Sequence, residues 1–222
     1  MNKIPEFFRV RQSFDRPQVV DVAGEVQTQL ASLHLDQTVK AGDTVAISAG
    51  SRGIANIAVI IKAIADHVRL IGGQPVIIPA MGSHGGATAE GQRAIIEGYG
   101  ITEEFCNCPI QAGMETVVVT QAAEGFDVHF DRYAFEADHV IVCGRVKPHT
   151  GFTGDIESGI MKMMLIGLGK RTGAEIYHRA IKDYSFGQIV RSVAREVLAK
   201  CHVIAGVGIV ENAFEETAMI EA

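Results

Sequence analysis

The run TVAISAGSRGIANIAVIIKAIADHVRLIGGQPVIIP, Thr44 to Pro79, decides the fold. It opens on Thr44–Ser48 and closes on Pro75–Pro79, two short apolar runs rich in β-branched residues, and such runs bounded by turn residues read as buried strands. Between them Ile54, Ile57, Ala58, Ile61, Ala65 and Val68 recur at steps of three and four, which puts them on one face of a helix. Outward from this unit the two periods keep alternating. Further strands are expected at Thr116–Thr120, His139–Cys143 and Val203–Val210, and further helices at Val19–Leu33, Thr88–Tyr99, Gly173–Lys182 and Phe186–Lys200. Strands alternating with helices predict an α/β fold, a mostly parallel sheet with helices on both faces. The segment from Glu103 to Asp138 breaks the rhythm and reads as a hairpin or an edge excursion.

Composition narrows the function classes. The chain has 222 residues, 47% of them hydrophobic and 21% charged, which suits one large soluble domain or two small ones. A net charge of −6 and a pI near 5.7 argue against a nucleic-acid scaffold, and no Lys/Arg cluster is interleaved with aromatics. Cys106, Cys108, Cys143 and Cys201 lack disulfide-scaffold spacing, so reduced thiols and a cytoplasmic location are expected. Met1 to Arg11 is charged and has no apolar signal core. The most apolar helix, Ile54 to Gly72, carries Lys62, Asp66, His67 and Arg69, a pattern for a globular core and not for a bilayer. Val203–Val210 reads as a buried strand followed by Glu211 to Ala222 alone. That ending has two readings of equal weight, a fragment whose continuation is missing or a natural strand and tail.

Ligands of open α/β sheets bind where strand ends lead into helices, and three such loops carry unusual residues. In loop one, Gly50-Ser51-Arg52-Gly53 opens the Ile54 helix. Helix-end N–H groups favour an anion, and Arg52 adds a fork suited to a carboxylate or phosphate; the plainer reading is a tight turn with a solvated arginine. In loop two, Gly82-Ser83-His84-Gly85-Gly86 sets a histidine among glycines, with little apolar surface to pack against. His84 is therefore a proton donor or acceptor, or an exposed loop histidine. Loop three, Gly144-Arg145-Val146-Lys147-Pro148-His149-Thr150-Gly151-Phe152-Thr153-Gly154, follows the His139–Cys143 strand. Histidines from neighbouring strand ends could flank one small substrate, an arrangement that suits inversion of a stereocentre.

Lys162 lies among Met161, Met163, Met164 and Leu165, where loss of charge would make it a nucleophile or a covalent anchor; the alternative is an amine that snorkels to water. His178, sixteen residues on, meets it if Gly167 to Gly173 reverses the chain, and otherwise caps a helix or is solvated. Weaker features are set aside. Gly167-Leu168-Gly169-Lys170-Arg171-Thr172 has Met164 at the first Walker glycine, Arg171 where Ser or Thr is needed, and Thr172 at the last glycine of the dinucleotide pattern. Cys106-Asn107-Cys108 lacks a second pair and reads as two buried thiols. His34, His67, His129, His139 and His202 read as structural or solvated, and Asp155 and Glu157 receive no definite role.

Ser48-Ala49-Gly50-Ser51-Arg52, Gly82-Ser83-His84, His149-Thr150-Gly151-Phe152-Thr153-Gly154, Lys162 and His178 occur in the order of the N-terminal domain of lactate racemase and its homologues. From about residue 10 onward the chain resembles that nickel-pincer-dependent racemase and epimerase family. The resemblance implies a Rossmann-like domain whose cleft faces a second domain. It implies a nickel-pincer nucleotide (nickel pyridinium-3-thioamide-5-thiocarboxylic acid mononucleotide), made by cofactor-synthesis enzymes and contacted by Lys162, Ser51 and Gly53, with Lys162 at the position of the covalent thioamide. His178 matches a nickel ligand, His84 and His149 the acid/base pair, and Arg52 a substrate-positioning arginine. The implied reaction takes hydride from the carbinol carbon of a 2-hydroxy acid to the pincer while one histidine takes the hydroxyl proton, and returns it to the other face.

Two departures from the family pattern favour a 2-hydroxy acid other than lactate, or a sugar acid. Ala49 stands where lactate racemase has an aspartate three residues before its arginine, and His149 lies closer to the Gly-Phe-Thr-Gly run, with extra residues between that run and Lys162. Two other classes of function compete: a non-catalytic α/β module binding a phosphorylated or carboxylated small molecule, and a hydrolase whose His84, His149 and His178 share a zinc ion.

Overall fold

A computed structural model describes residues 7–149 and 154–222. The Thr44–Pro79 run forms the expected unit: β1 (Thr44–Ala49), α2 (Ile57–Leu70) and β2 (Gln74–Pro79), with α1 (Val22–Ser32) before it. β1 and β2 pair in parallel in unbroken register from Thr44 with Gln74 to Ala49 with Pro79. Then come α3 (Ala89–Gly98), α4 (Glu103–Cys106), β3 (Thr116–Gln121), β4 (Asp127–Asp131), α5 (Arg132–Glu136) and β5 (His139–Arg145). The chain continues through α6 (Ile160–Lys162), a π-helical turn (Met163–Gly167), α7 (Lys170–Ala180), α8 (Phe186–Lys200), β6 (Val203–Glu211) and β7 (Thr217–Glu221).

The main sheet has the order β2-β1-β5-β6-β7, parallel except for β7. Alternation along its strands divides the core in two. Val45, Ile47 and Ala49 of β1, with Ile141 and Cys143 of β5 and Val207 and Ile209 of β6, face α1, α2 and Ile96 of α3. Ala46, Val76, Ile78, Val140 and Val142 face the other way, against α8, Tyr177 of α7 and the β3–β4 pair. Ile60, Ile61 and Ile64 of α2 are wholly buried. Burying each such side chain is worth about 1.5–3 kcal/mol, which explains why the periodic run specified its helix so strongly.

The differences from the expectations have local causes. Thr116–Thr120 is a strand, but it pairs antiparallel with β4 in a separate two-stranded sheet, so the irregular segment holds a hairpin. The run after Val210 contains a strand, β7, which a turn returns onto β6; Asn212 Oδ1 accepts from the backbone N–H groups of Phe214 (2.9 Å) and Glu216 (3.2 Å). Helix α7 starts at Lys170 and not at Gly173, because the π-turn before it ends in a break where Lys170 takes φ +53°. Helix α2 starts at Ile57, preceded by Asn56 at φ +60°. Among the described residues, no helix is long and apolar enough to cross a membrane.

Candidate active site

The strand order reverses between β1 and β5: from β1 the chain goes to β2 on one side and later to β5 on the other. In open α/β sheets the carboxyl ends of strands at such a reversal border the ligand crevice. Loop one leaves β1 there and loop three leaves β5, while loop two leaves the adjacent β2.

Loop one departs from its expected form. Gly50–Gly53 are separated from α2 by the turn Ile54–Asn56, so their N–H groups are not the free end of that helix. The expected placement of these N–H groups at the helix end is corrected accordingly. Nearer the helix, the Ala55 N–H donates to Glu211 Oε1 at 2.7 Å, and Arg145 Nη1 lies 2.7 Å from Glu211 Oε2. Ser51 turns the other way. Its Oγ lies 2.6 Å from His84 Nδ1, and the Tyr99 hydroxyl donates to its carbonyl at 2.8 Å. Arg52 and Gly53 are exposed.

Loop two needs its glycines. Gly82, Gly85 and Gly86 have φ of +61°, +65° and +66°, a region costly to residues with a Cβ. A Cβ on Gly85 would also sit 2.5 Å from the Gly91 carbonyl carbon. The tight path exposes His84 and directs Nδ1 to Ser51, which leaves Nε2 for exchange with a ligand.

In loop three, residues 150–153 lie outside the described residues, and with them the expectations for Thr150, Gly151, Phe152 and Thr153. Glu157 accepts from the His149 N–H (2.8 Å) and the Gly154 N–H (3.1 Å). These bonds hold the Glu157 carboxyl below its usual range. Partial burial lowers the His149 pKa, and the charges of Lys162, Lys147 and Arg52 lower it further against the opposing pull of Glu157. Lys162 is half-buried; desolvation lowers its pKa first, then repulsion from Arg52 and Lys147. Lys162 sits where α6 passes into the π-turn, a distortion found often at functional sites.

The fold thus brings the sequence candidates together in two groups. Ser51 and His84 are in direct contact, and His149, Lys162 and Arg52 share one electrostatic neighbourhood with Lys147. His178 is exposed on α7, outside the electrostatic neighbourhood of Lys162, and a run of rings leads from it toward His149. The His178 ring lies 5.2 Å from Tyr177, Tyr177 stands edge-on to Phe186 at 5.5 Å, and Phe186 lies 6.4 Å from His149. Three cations around one neutral-leaning histidine suit an anionic ligand, and a lysine of lowered pKa suits an amine that forms a covalent bond. The residues present therefore fit an anionic ligand beside Lys162. Among the described residues no three His, Cys, Asp or Glu side chains are grouped as a metal site, which leaves the three-histidine zinc arrangement without support.

Several residues that build the site were not singled out from sequence. Tyr99, Gln92 and Lys170 support loops one and two from beneath, and Glu157 clasps loop three. Tyr99 and Lys170 meet partners distant in sequence, and Gln92 and Glu157 bond backbone groups three to ten residues away at spacings that form no motif; Lys170 was visible only as part of a failed phosphate motif. Among the residues set aside, the cysteines, His67 and His139 behave as read. All four cysteines are free and buried, with Cys143 and Cys201 pushed to about 12 by burial and Cys106 to about 11. His67 bonds Gln27 and His139 meets Asp43, each at 3.0 Å.

An α/β domain with its crevice at the β1/β5 reversal is the class that fold and site define. The family model for the lactate racemase N-terminal domain matches residues 10–186, and the chain belongs to that family. Its fold is similar to the structure of the lactate racemase apoprotein from Thermoanaerobacterium thermosaccharolyticum, with a TM-score of 0.65 at 15% identity. That match covers 93% of this chain and 52% of the other, so the chain spans about half the length of that relative. No curated protein sequence matches the chain.

Proposed function

We propose that the protein supplies the N-terminal half of the active site of a racemase or epimerase acting on a 2-hydroxy acid or sugar acid with the nickel-pincer nucleotide. Membership of the lactate racemase N-terminal domain family supports racemase-type chemistry. The observation that carries the finer reading is the grouping of His149, Lys162 and Arg52 at the carboxyl end of the sheet beside the His84–Ser51 pair.

Each residue has a task suited to its surroundings. Arg52, exposed and permanently charged, binds the substrate carboxylate. His149 is neutral near pH 7 because burial and three cations oppose its protonation, so its ring accepts the hydroxyl proton of one enantiomer. His84, its Nδ1 against Ser51, exchanges the proton of the other enantiomer through Nε2. Lys162 would hold the nucleotide, with Ser51 and Gly53 contacting it, and His178 would ligand its nickel. When bound, that group would supply reversible acceptance of the hydride released by the carbinol carbon. Ala49, where lactate racemase has an aspartate, is wholly buried in the core; no carboxylate can assist Arg52 from that position, which favours a substrate other than lactate.

The test is intact-mass and metal analysis of the full-length protein co-expressed with the cofactor-synthesis enzymes. One nickel and a mass adduct that disappears in Lys162→Ala are expected. Neither adduct nor nickel in the fully supplied host overturns the proposal. Ligand binding that needs Arg52 and is indifferent to Lys162→Ala would instead identify a non-catalytic binding module.

A further inference from the structure

Lys170 is the most conspicuous charged side chain that the proposed chemistry does not use. It is wholly buried, takes φ +53°, and lies in contact with three elements. Its Nζ donates to the Pro79 carbonyl at the end of β2, lies 3.2 Å from Gln92 Oε1 on α3, and is 3.0 Å from Asp131 Oδ2 at the end of β4. Asp131 is equally buried, and its Oδ1 accepts from the Ala134 N–H at 2.9 Å. Burial pushes the Asp131 carboxyl up and the Lys170 amine down, each opposed by the partner's charge. A buried pair of this kind is weak as a source of stability but strict in geometry, since removing one partner strands the other.

The network leads to loop two. Gln92 is wholly buried, and while its Oε1 faces Lys170 its Nε2 donates to the Gly82 carbonyl (2.8 Å) and the His84 carbonyl (3.3 Å). The same helix ends at Tyr99, which holds the carbonyl of Ser51, the residue against His84 Nδ1. His84 is therefore gripped at its backbone from Lys170 through Gln92 and at its ring through Ser51. The glycines that free loop two to turn contribute no side chains of their own to packing, so these bonds help set where the imidazole stands.

We propose that Gln92 and Lys170 are positioning residues for His84, with Lys170 orienting the Gln92 amide so that its N–H groups pin loop two. The inference rests on the acid/base role assigned to His84. Gln92→Met removes the amide at similar size, and Gln92→Glu makes the donor depend on pH. A protonated carboxyl can donate to the Gly82 carbonyl, whereas an ionised one repels it. Two measurements on the full-length protein are decisive: amide hydrogen exchange across residues 81–88, which needs no cofactor, and steady-state kinetics of the loaded enzyme.

In Gln92→Met, exchange across 81–88 should quicken about tenfold while the α8 amides keep their protection. The kcat should fall ~10–100-fold with little change in KM, as expected for a misplaced proton-transfer group. In Gln92→Glu both effects should be small at low pH and grow as pH rises, a dependence absent from Gln92→Met. Unchanged exchange in both variants overturns the proposal, and so does quickened exchange with kcat intact. If the loaded wild-type protein turns over no 2-hydroxy acid, the proposed function fails by itself, and the exchange measurement still decides whether Gln92 pins the loop.

Discussion

Lys162 and His149 show how a fold changes what a side chain can do. On a solvated surface Lys162 would be an ammonium at pH 7; half-buried and facing Arg52 and Lys147, its charged form is disfavoured. An amine-selective reagent should therefore modify Lys162 at lower pH than exposed Lys182, as read by peptide mapping across a pH series. Arg52→Gln, by removing a repelling charge, should shift the Lys162 profile upward. Identical profiles for Lys162 and Lys182 would contradict the electrostatic reading. The depressed pKa of His149 keeps it unprotonated to below the ordinary histidine value of 6.5, so an activity limb due to it should fall off on the acid side of that value. His84→Ala and His149→Ala should each abolish racemisation and leave bound nickel unchanged; activity surviving in either undoes that residue's assignment.

Among the elements, α8 ties stability to the site. Ser185 caps it reciprocally with Gln188, its Oγ accepting from the Gln188 N–H while Gln188 Oε1 accepts from the Ser185 N–H. The first helical residue is Phe186, the ring between His149 and Tyr177. Ser185→Ala should cost about 0.5–2 kcal/mol, the usual loss for an N-cap, measured by urea unfolding. An unchanged midpoint would show that packing alone fixes the start of α8. Helices α2 and α8 were legible in the sequence because their apolar residues repeat at the helical period and bury one face. The onset of α7 was not, since a π-turn precedes it and its first residue, Lys170, takes the αL conformation while its amine bonds the Pro79 carbonyl.

For the whole molecule, contacts remote in sequence close the sheet. Arg16 pairs with Glu216 through two hydrogen bonds, and Asn212 Nδ2 donates to the same carboxylate at 2.9 Å, joining the N-terminal segment to the β6–β7 turn. The bond from Arg16, followed by those from Asn212 and Gln18, holds Glu216 down at about 2. For a carboxyl with a depressed folded pKa, the stabilisation is complete above the unfolded value of 4.5 and disappears as pH falls through about 2. Wild type and Glu216→Gln should thus differ in unfolding midpoint at neutral pH and converge in strong acid. A constant difference down to the lowest pH would reject the linkage.

The sequence by itself determined the alternation of strands and helices, the main-sheet strands β1, β2, β5 and β6, and the loops that carry Arg52, His84 and His149. Those signals are local: a period of two or of three to four, and glycine where the chain must turn tightly. Tertiary structure alone decided that β3 leaves the main sheet, that β7 returns to its edge, and that Ser51 meets His84 instead of forming the end of a helix. It also decided that Lys170 and Asp131, from separate segments, share one buried site. These outcomes depend on charges and carbonyls that must find partners once water is excluded, and such partners are chosen by proximity in the folded chain, which spacing along the sequence does not encode.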